Sequence, residues 1–350
     1  MPSRPHSNHA AETPSTADPR RRSLLRWAGA TAAVGALSPL ASLPVRAQDA
    51  KHIRLAHPAP IAHGWNIWAE QFKKTIEAKS GGKITVQIFP NAQMGNERDT
   101  AQAVRLGSIE MGAIGVGLMN WVPEMSITDA PFLWKSRAQA VKAFGGAFGN
   151  DLRKRCRDKG FVLTGWTDLG FRAMTNNKRP IKSVKDMQDL KMRVPNSKAY
   201  IAMIQAMGAS TVAVDLSELY LALRQGVADG QDTPSPVVVS NKYYEVQKYA
   251  SKTDHNLTTA YTVTNPKFYD GLTAAERTMF DAACLDADEF LRQKTIKDEN
   301  DAFAFLKAHG MEVTLDVDVE SFRVACTPVI ANNPDLFLPE LVKMARATPT

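Results

Sequence analysis

The alternation of apolar and polar positions divides the chain beyond residue 50 into two similar stretches, each reading strand, helix, strand, helix, strand. In the first, Ile53-Arg54-Leu55-Ala56 is a short strand that runs into His57-Pro58-Ala59-Pro60. A helix follows, its apolar stripe set by Trp65, Trp68, Phe72 and Ile76 at spacings of 3, 4 and 4. It stops at Gly81-Gly82. Residues 84–89 alternate cleanly with β-branched members and predict a second strand. A helix from about Glu97 to Leu106, stopped by Gly107, leads to a third strand over 110–114.

The second stretch opens with Leu190-Lys191-Met192-Arg193-Val194, and Pro195-Asn196-Ser197 carries a helix-start signature. The predicted helix spans 197–207, and an apolar strand covers 211–214. Asp215-x-x-Glu218 predicts a capping box opening a helix that ends at Gly226, and Val227-Ala228-Asp229 is the third strand. Strands alternating with helices imply a parallel sheet, and ligands bind such sheets outside the carboxyl ends of the strands. The fold expected is α/β, two half-sheets with one cleft between them.

The connecting segments are less regular. Residues 121–134 read as packed crossover chain, and 135–160 as helical, with Arg153-Lys154-Arg155-x-Arg157 a solvated basic face. A strand over 161–166 delivers the chain to Gly170-Phe171-Arg172, so that Arg172 lies just past a strand end. Beyond residue 234, 243–249 reads as helix and Leu257–Thr264 as strand. Thr273-x-x-Glu276 caps a helical pattern that continues to His309-Gly310. A helix of about 36 residues would reach roughly 54 Å and brace two domains; the alternative is two helices with a break near residues 294–298. A strand over 311–315 and a helix over 319–330 complete the pattern, and Pro334 and Pro339 loosen the tail.

Composition changes this picture mainly at the N-terminus. The 350 residues are 44% hydrophobic and 23% charged, ordinary for a globular protein. Residues 1–47, however, read as an export signal: Arg20-Arg21-Arg22-Ser23-Leu24-Leu25-Arg26, then an Ala/Gly/Leu segment, then Val45-Arg46-Ala47 at a cleavage site. The pattern resembles the twin-arginine signal, with an ordinary secretory signal as the alternative. These residues hold six of the arginines and two of the acids, so the +7 of the whole chain falls to +3 for the remainder. That is too small to argue for nucleic acid. No later stretch approaches the ~20 apolar residues of a membrane span. Cys156, Cys284 and Cys326 permit at most one disulfide in an oxidising compartment and show no metal-site spacing.

Catalytic motifs are missing. There is no Gly-x-Gly-x-x-Gly at the first turn, no Gly-x-Ser-x-Gly, no His-Glu-x-x-His and no P-loop. His57 and His63, six apart, fit no helical ligand pair. No cofactor and no metal are expected. What the chain does offer is Arg193 where a strand meets a helix N-terminus, a place that favours anions. Its planar fork matches a carboxylate bidentately. Arg193 is either a ligand-binding group or the structural partner of an acid such as Asp186 or Asp189. Asp215 and Asp232-Thr233 fall at the same predicted sheet edge.

Over residues 51–335 the chain resembles the solute-binding subunits of tripartite ATP-independent periplasmic (TRAP) transporters, of the dicarboxylate-binding type. The resemblance rests on Gly170-x-Arg172-x-x-Thr175-Asn176, Asp186-Met187-x-x-Leu190-Lys191-x-Arg193-Val194-Pro195-Asn196 and Glu218-x-Tyr220-x-Ala222-Leu223-x-x-Gly226-x-x-Asp229-Gly230-Gln231. Lys242-x-Tyr244-Glu245-Val246-x-Lys248-Tyr249 is also similar. It implies a two-lobed periplasmic binding protein fold, two βαβαβ-based domains about a central cleft with a long C-terminal helix spanning both. The lobes would be 48–169 plus 258–297, and 170–257 plus 298–350.

It also implies that Arg193 grips a ligand carboxylate with help from Arg172, and that Asn196 contacts the ligand. Asp232, Thr233, Leu216, Trp166 and His57 would be further pocket positions; His57 reads equally well as a solvated loop histidine. Sialic-acid binders of the family often carry Asn where Thr233 stands and an acid near Gly115. These departures favour an organic acid smaller than a polyhydroxylated sugar acid. The function implied is a periplasmic receptor, not an enzyme, that captures a small carboxylate and delivers it to the small and large membrane subunits of a transporter. The alternatives are an exported enzyme on a similar scaffold and a ligand-binding partner of a membrane sensor.

Overall fold

The computed structural model describes residues 50–350, and the export-signal reading of residues 1–47 lies outside them. The first half-sheet forms as the pattern predicts. Strand β1 (Lys51–Ala56), helix α1 (Gly64–Lys79), β2 (Ile84–Phe89), α2 (Glu97–Leu106) and β3 (Met111–Ile114) build a parallel β2-β1-β3 sheet. The α1 stripe of Trp65, Trp68, Phe72 and Ile76 is wholly buried against it. Two 3₁₀ turns, Val116–Asn120 and Pro123–Asp129, form the crossover, and α3 (Arg137–Gly145) and α4 (Ala147–Asp158) cover one side. The basic α4 face is partly ion-paired, with Arg155 near Asp151, Glu124 and Glu340.

The central strand is β4 (Val162–Asn176), 15 residues long. Arg172 therefore lies inside a strand and not past its end. The strand predicted over 161–166 continues instead through two register shifts, at Leu163/Gly165 and Asp168/Gly170. Gly170 adopts φ +108°, and an added Cβ would stand 2.7 Å from the Glu299 carboxylate.

The second half-sheet is β5 (Lys191–Val194), α5 (Lys198–Ala206), β6 (Ser210–Ala213), α6 (Leu219–Arg224) and β7 (Gly230–Pro234), with β7-β5-β6 parallel. Two expectations are corrected here. Residues 227–229 form a turn and the strand begins at Gly230, because Gln231 to Pro234 pair along β4. Asp215 does not cap α6; its carboxylate instead accepts a hydrogen bond from Asn96 Nδ2 at 2.8 Å.

Helix α7 (Ser235–Ser240) follows. The predicted helix at 243–249 reduces to a 3₁₀ turn at Tyr243–Glu245 before β8 (Tyr249–Ser251), whose residues pair with β4. Strand β9 (Leu257–Thr264) is antiparallel to both β3 and β4 and joins the half-sheets into the order β2-β1-β3-β9-β4-β7-β5-β6. After α8 (Pro266–Asp270), α9 (Ala274–Ala308) runs 35 residues without a break, opened by the Thr273/Glu276 capping box. It packs on α1, β4 and α7, so one helix braces both lobes.

Strand β10 (Glu312–Thr314), α10 (Val319–Asn332) and α11 (Pro339–Ala347) close the chain. Pro339 begins a helix where its fixed φ and missing N–H are tolerated, so the tail packs instead of loosening. The three cysteines are free and buried. No helix among the described residues is long and apolar enough to cross a membrane.

Candidate functional site

Parallel strands β5, β6 and β7 end at Val194, Ala213 and Pro234, so Arg193, Asp215 and Thr233 share one sheet edge. Arg172 reaches the same place from β4. A cavity there, with about 60 Å³ open to the centres of water molecules, is lined by Arg172, Arg193, Thr233 and Leu216. From the first half-sheet come Trp65, Glu97, Gly115 and Asp129. Asn96 and Asp215 hydrogen-bond across the two halves.

The two arginines are in opposite electrostatic states. Arg172, 4% exposed, donates from Nε to Asp232 Oδ2 at 2.9 Å and from Nη2 to Oδ1 at 3.1 Å. Its Nη1 reaches Thr258 Oγ1 at 3.1 Å and the Tyr200 hydroxyl at 3.3 Å, with the guanidinium 4.3 Å from the Tyr200 ring centre. Burial alone would push Asp232 up, but the Arg172 guanidinium and His255 hold its carboxyl below the usual range. Asp232 is thus a counter-ion beneath the cavity and does not line it.

Arg193 is 2% exposed and has no carboxylate within ion-pairing distance among the described residues. Its Nε donates to Val214 O at 2.8 Å. Asp186 is occupied in capping Ser183, so the structural pairing considered for Arg193 does not form with it. Burial, reinforced by the nearby Arg172 charge, lowers the Arg193 pKa. A buried cation without a partner is expensive in a low dielectric, which favours an anion in the space beside it.

Acids face this charge. Glu97, in the first turn of α2, accepts from Gly115 N at 2.8 Å and Gly117 N at 2.9 Å, both through Oε2. Gly117 is required there, since a Cβ would stand 2.4 Å from Glu97 Cβ. Burial raises the Glu97 pKa, against the pull of those amides and of Arg193. Asp129 is 2% exposed, its Oδ2 has no hydrogen-bond partner, and burial pushes its carboxyl up to about 7 against the pull of Arg172. Trp65 Nε1 and Thr233 Oγ1 are also buried without partners. His63 caps α1 by accepting from Trp65 N at 3.1 Å through Nδ1, and burial lowers its pKa to about 3, which leaves a neutral ring.

The other positions implied by resemblance lie elsewhere. Asn196 is exposed and outside the cavity lining. Trp166 stacks on Phe144 at 4.0 Å in the core. His57 is buried behind the cavity, hydrogen-bonded to Asn66 Oδ1 at 3.2 Å, with its pKa lowered by burial to about 4. A larger and mostly apolar cavity of about 320 Å³ lies against α9 beyond Leu169 and Val237. Its Lys294 and Asp298 already pair with each other at 2.8 Å, so it lacks the uncompensated charge that marks the first.

Sequence reasoning missed Glu97, Asp129 and Trp65. Trp65 belongs to a stripe that reads as core, and Asp129 to a segment that reads as crossover. Glu97 follows Gly95-Asn96 at the carboxyl end of β2, so the sheet-edge argument applied to the first half would have found it.

The profile of bacterial extracellular solute-binding proteins, family 7, matches residues 55–334. The chain belongs to this family, the solute-binding proteins of TRAP transporters. A solute-binding protein of Verminephrobacter eiseniae is 36% identical over 75% of this chain and 78% of its own length. A TRAP periplasmic solute-binding protein of Polaromonas sp JS666, bound to D-erythronate, is 33% identical with a TM-score of 0.82, covering 86% of this chain and 99% of its own. That of Bordetella bronchispeptica, with density interpreted as pantoate, is 32% identical with a TM-score of 0.82, covering 86% and 100%. These relatives are binding proteins of an extracellular, periplasmic family.

Proposed function

We propose that this TRAP solute-binding protein captures a small organic acid in the cavity between its lobes and delivers it, unchanged, to the membrane subunits of a transporter. The observation that carries the reading is Arg193, a buried guanidinium with no carboxylate within ion-pairing distance among the described residues, beside a cavity where two half-sheets meet. The ligand carboxylate takes the Arg193 fork. Arg172, its donors held by Asp232, Thr258 and Tyr200, adds positive charge to the wall beside it, and Thr233 and Leu216 complete that wall. Asp232 acts through Arg172, while Trp166 and His57 are buried outside the cavity lining and Asn196 is exposed. Solved relatives bound to D-erythronate, L-galactonate and β-D-glucuronate are consistent with an acid ligand.

In this reading the lobes are residues 48–169 with 258–297, and 170–257 with 298–350, crossed by β4, β9 and α9. The protein is exported by the twin-arginine route and acts in the periplasm. The test is a thermal-shift screen of residues 48–350 against organic acids, sugar acids, amino acids and neutral sugars. A ligand at 100 times its Kd adds about 2.7 kcal/mol, a shift of several degrees. A shift confined to carboxylates and missing in Arg193→Ala is expected. A shift with neutral sugars alone, or turnover of a panel member, would overturn the proposal.

A further inference from the structure

Resting on the carboxylate-receptor reading, we propose that Asp129, with Glu97, forms a second pole of the cavity that selects a hydroxylated monocarboxylate and rejects dicarboxylates. The charges of the cavity provide the first argument. Arg172 is neutralised by Asp232 in a bidentate pair, and Arg193 stands opposite the carboxyls of Glu97 and Asp129. The two guanidiniums therefore leave no spare positive charge to hold a second ligand carboxylate.

The second argument is the unsatisfied hydrogen-bonding inventory. Asp129 Oδ2 is buried and unpartnered, and Glu97 beside it accepts from the Gly115 and Gly117 amides through Oε2. Trp65 Nε1 can only donate, and Thr233 Oγ1 can do either. A ligand hydroxyl donates to Asp129 while accepting from Trp65 or Thr233. A second ligand carboxylate has no proton to give Asp129 and places like charge against it. Like-charge juxtaposition at a desolvated contact costs several kcal/mol.

The test is isothermal titration of residues 48–350 at pH 8, above the value of about 7 to which burial raises Asp129, with two matched panels. One holds D-erythronate, L-threonate and pantoate; the other holds succinate, L-malate and glutarate. The best hydroxy acid is expected to bind at least ~100-fold more tightly than the best dicarboxylate. Asp129→Asn, with its fold checked by circular dichroism, should narrow that ratio at least ~10-fold, and Glu97→Gln should narrow it in the same direction. If dicarboxylates bind as tightly as the hydroxy acids and Arg193→Ala abolishes both, the selectivity inference falls and the receptor reading stands. If the ratio is unchanged in both acid variants, Asp129 and Glu97 do not select. If no carboxylate of any kind binds, the receptor reading itself falls, and this inference with it.

Discussion

Replacing Arg193 with methionine should separate ligand binding from folding stability. Methionine keeps most of the volume of the side chain and removes the guanidinium. In the ligand-free protein the loss is one charge-assisted hydrogen bond, Nε to Val214 O at 2.8 Å, worth about 1.5–3 kcal/mol. Against this stands the relief of a buried cation that lacks an ion-pair partner and sits near Arg172, a penalty of several kcal/mol. The two nearly cancel, so urea unfolding of the ligand-free variant should give a stability within about 1 kcal/mol of wild type, or slightly above it. Binding should behave oppositely. A ligand carboxylate that loses its buried partner weakens by about 2–5 kcal/mol, roughly 30- to 5,000-fold in Kd. Titration calorimetry with the best acid from the screen, run beside the unfolding curves, measures both quantities. A variant that unfolds 3 kcal/mol more easily yet binds its acid normally would show that Arg193 is a structural cation, and the reasoning would fail.

Arg172→Met should do the reverse on stability: it strands Asp232, 0% exposed, with only His255 beside it, and should cost about 3–5 kcal/mol in chemical denaturation. Asp288 of α9 is buried, accepts from Trp68 Nε1 at 2.7 Å and Trp166 N at 3.1 Å, and is raised by burial from 3.8 to about 7. A raised acid stabilises the fold below its unfolded pKa and loses that contribution as pH climbs through the folded value. The stability of Asp288→Asn relative to wild type should therefore improve by on the order of 4 kcal/mol between pH 4 and pH 7; a difference independent of pH would refute the assignment. Asp129, also raised by burial to about 7, adds to Asp288, while His57 and His63, lowered by burial to about 4 and 3, act in the opposite sense, so these four groups together should leave the wild-type profile nearly flat over pH 4 to 6.5. Gly170→Ala meets both a positive φ and the Glu299 carboxylate, and should lower Tm by several degrees, with Glu299→Ala partly restoring it.

The parts legible in the sequence are those where a local signal and the tertiary need agree. The α1 stripe, the alternation of β2, the ends of β9 and the Thr273/Glu276 box of α9 all belong to this class. Where tertiary pairing decides, local signals misled. The strand predicted to end at Trp166 is carried on to Asn176 by pairing with its neighbours. Residues 227–229 were apolar enough for a strand, yet the ladder to β4 begins at Gly230. Asp215 and Glu218 had capping-box spacing, and a contact from Asn96, 119 residues earlier, took the aspartate instead. The same division applies to the cavity. Arg193 and Arg172 sit in sequence patterns that mark an anion site, and the sheet-edge argument reaches Asp232 and Glu97, whereas the pairing that disarms Arg172 and the approach of Asp129 arrive through long-range packing that no window of sequence contains.

The position of β9 has a consequence for how the protein is made. The edge of β3 is closed by Tyr261 to Thr264, some 150 residues later in the chain, and the α1 face is covered by Phe280, Cys284 and Ala287 from α9. As synthesis proceeds, the N-terminal lobe therefore lacks its closing strand and its lid of apolar side chains until more than four-fifths of the chain has emerged. Its early strands would present an open edge and a row of uncovered aromatics through most of translation, the condition in which nascent chains recruit chaperones. Native order should appear late and nearly at once. A nascent chain halted near residue 250 should remain protease-sensitive throughout the first half-sheet, while one halted well beyond residue 310 should acquire protection in both halves together.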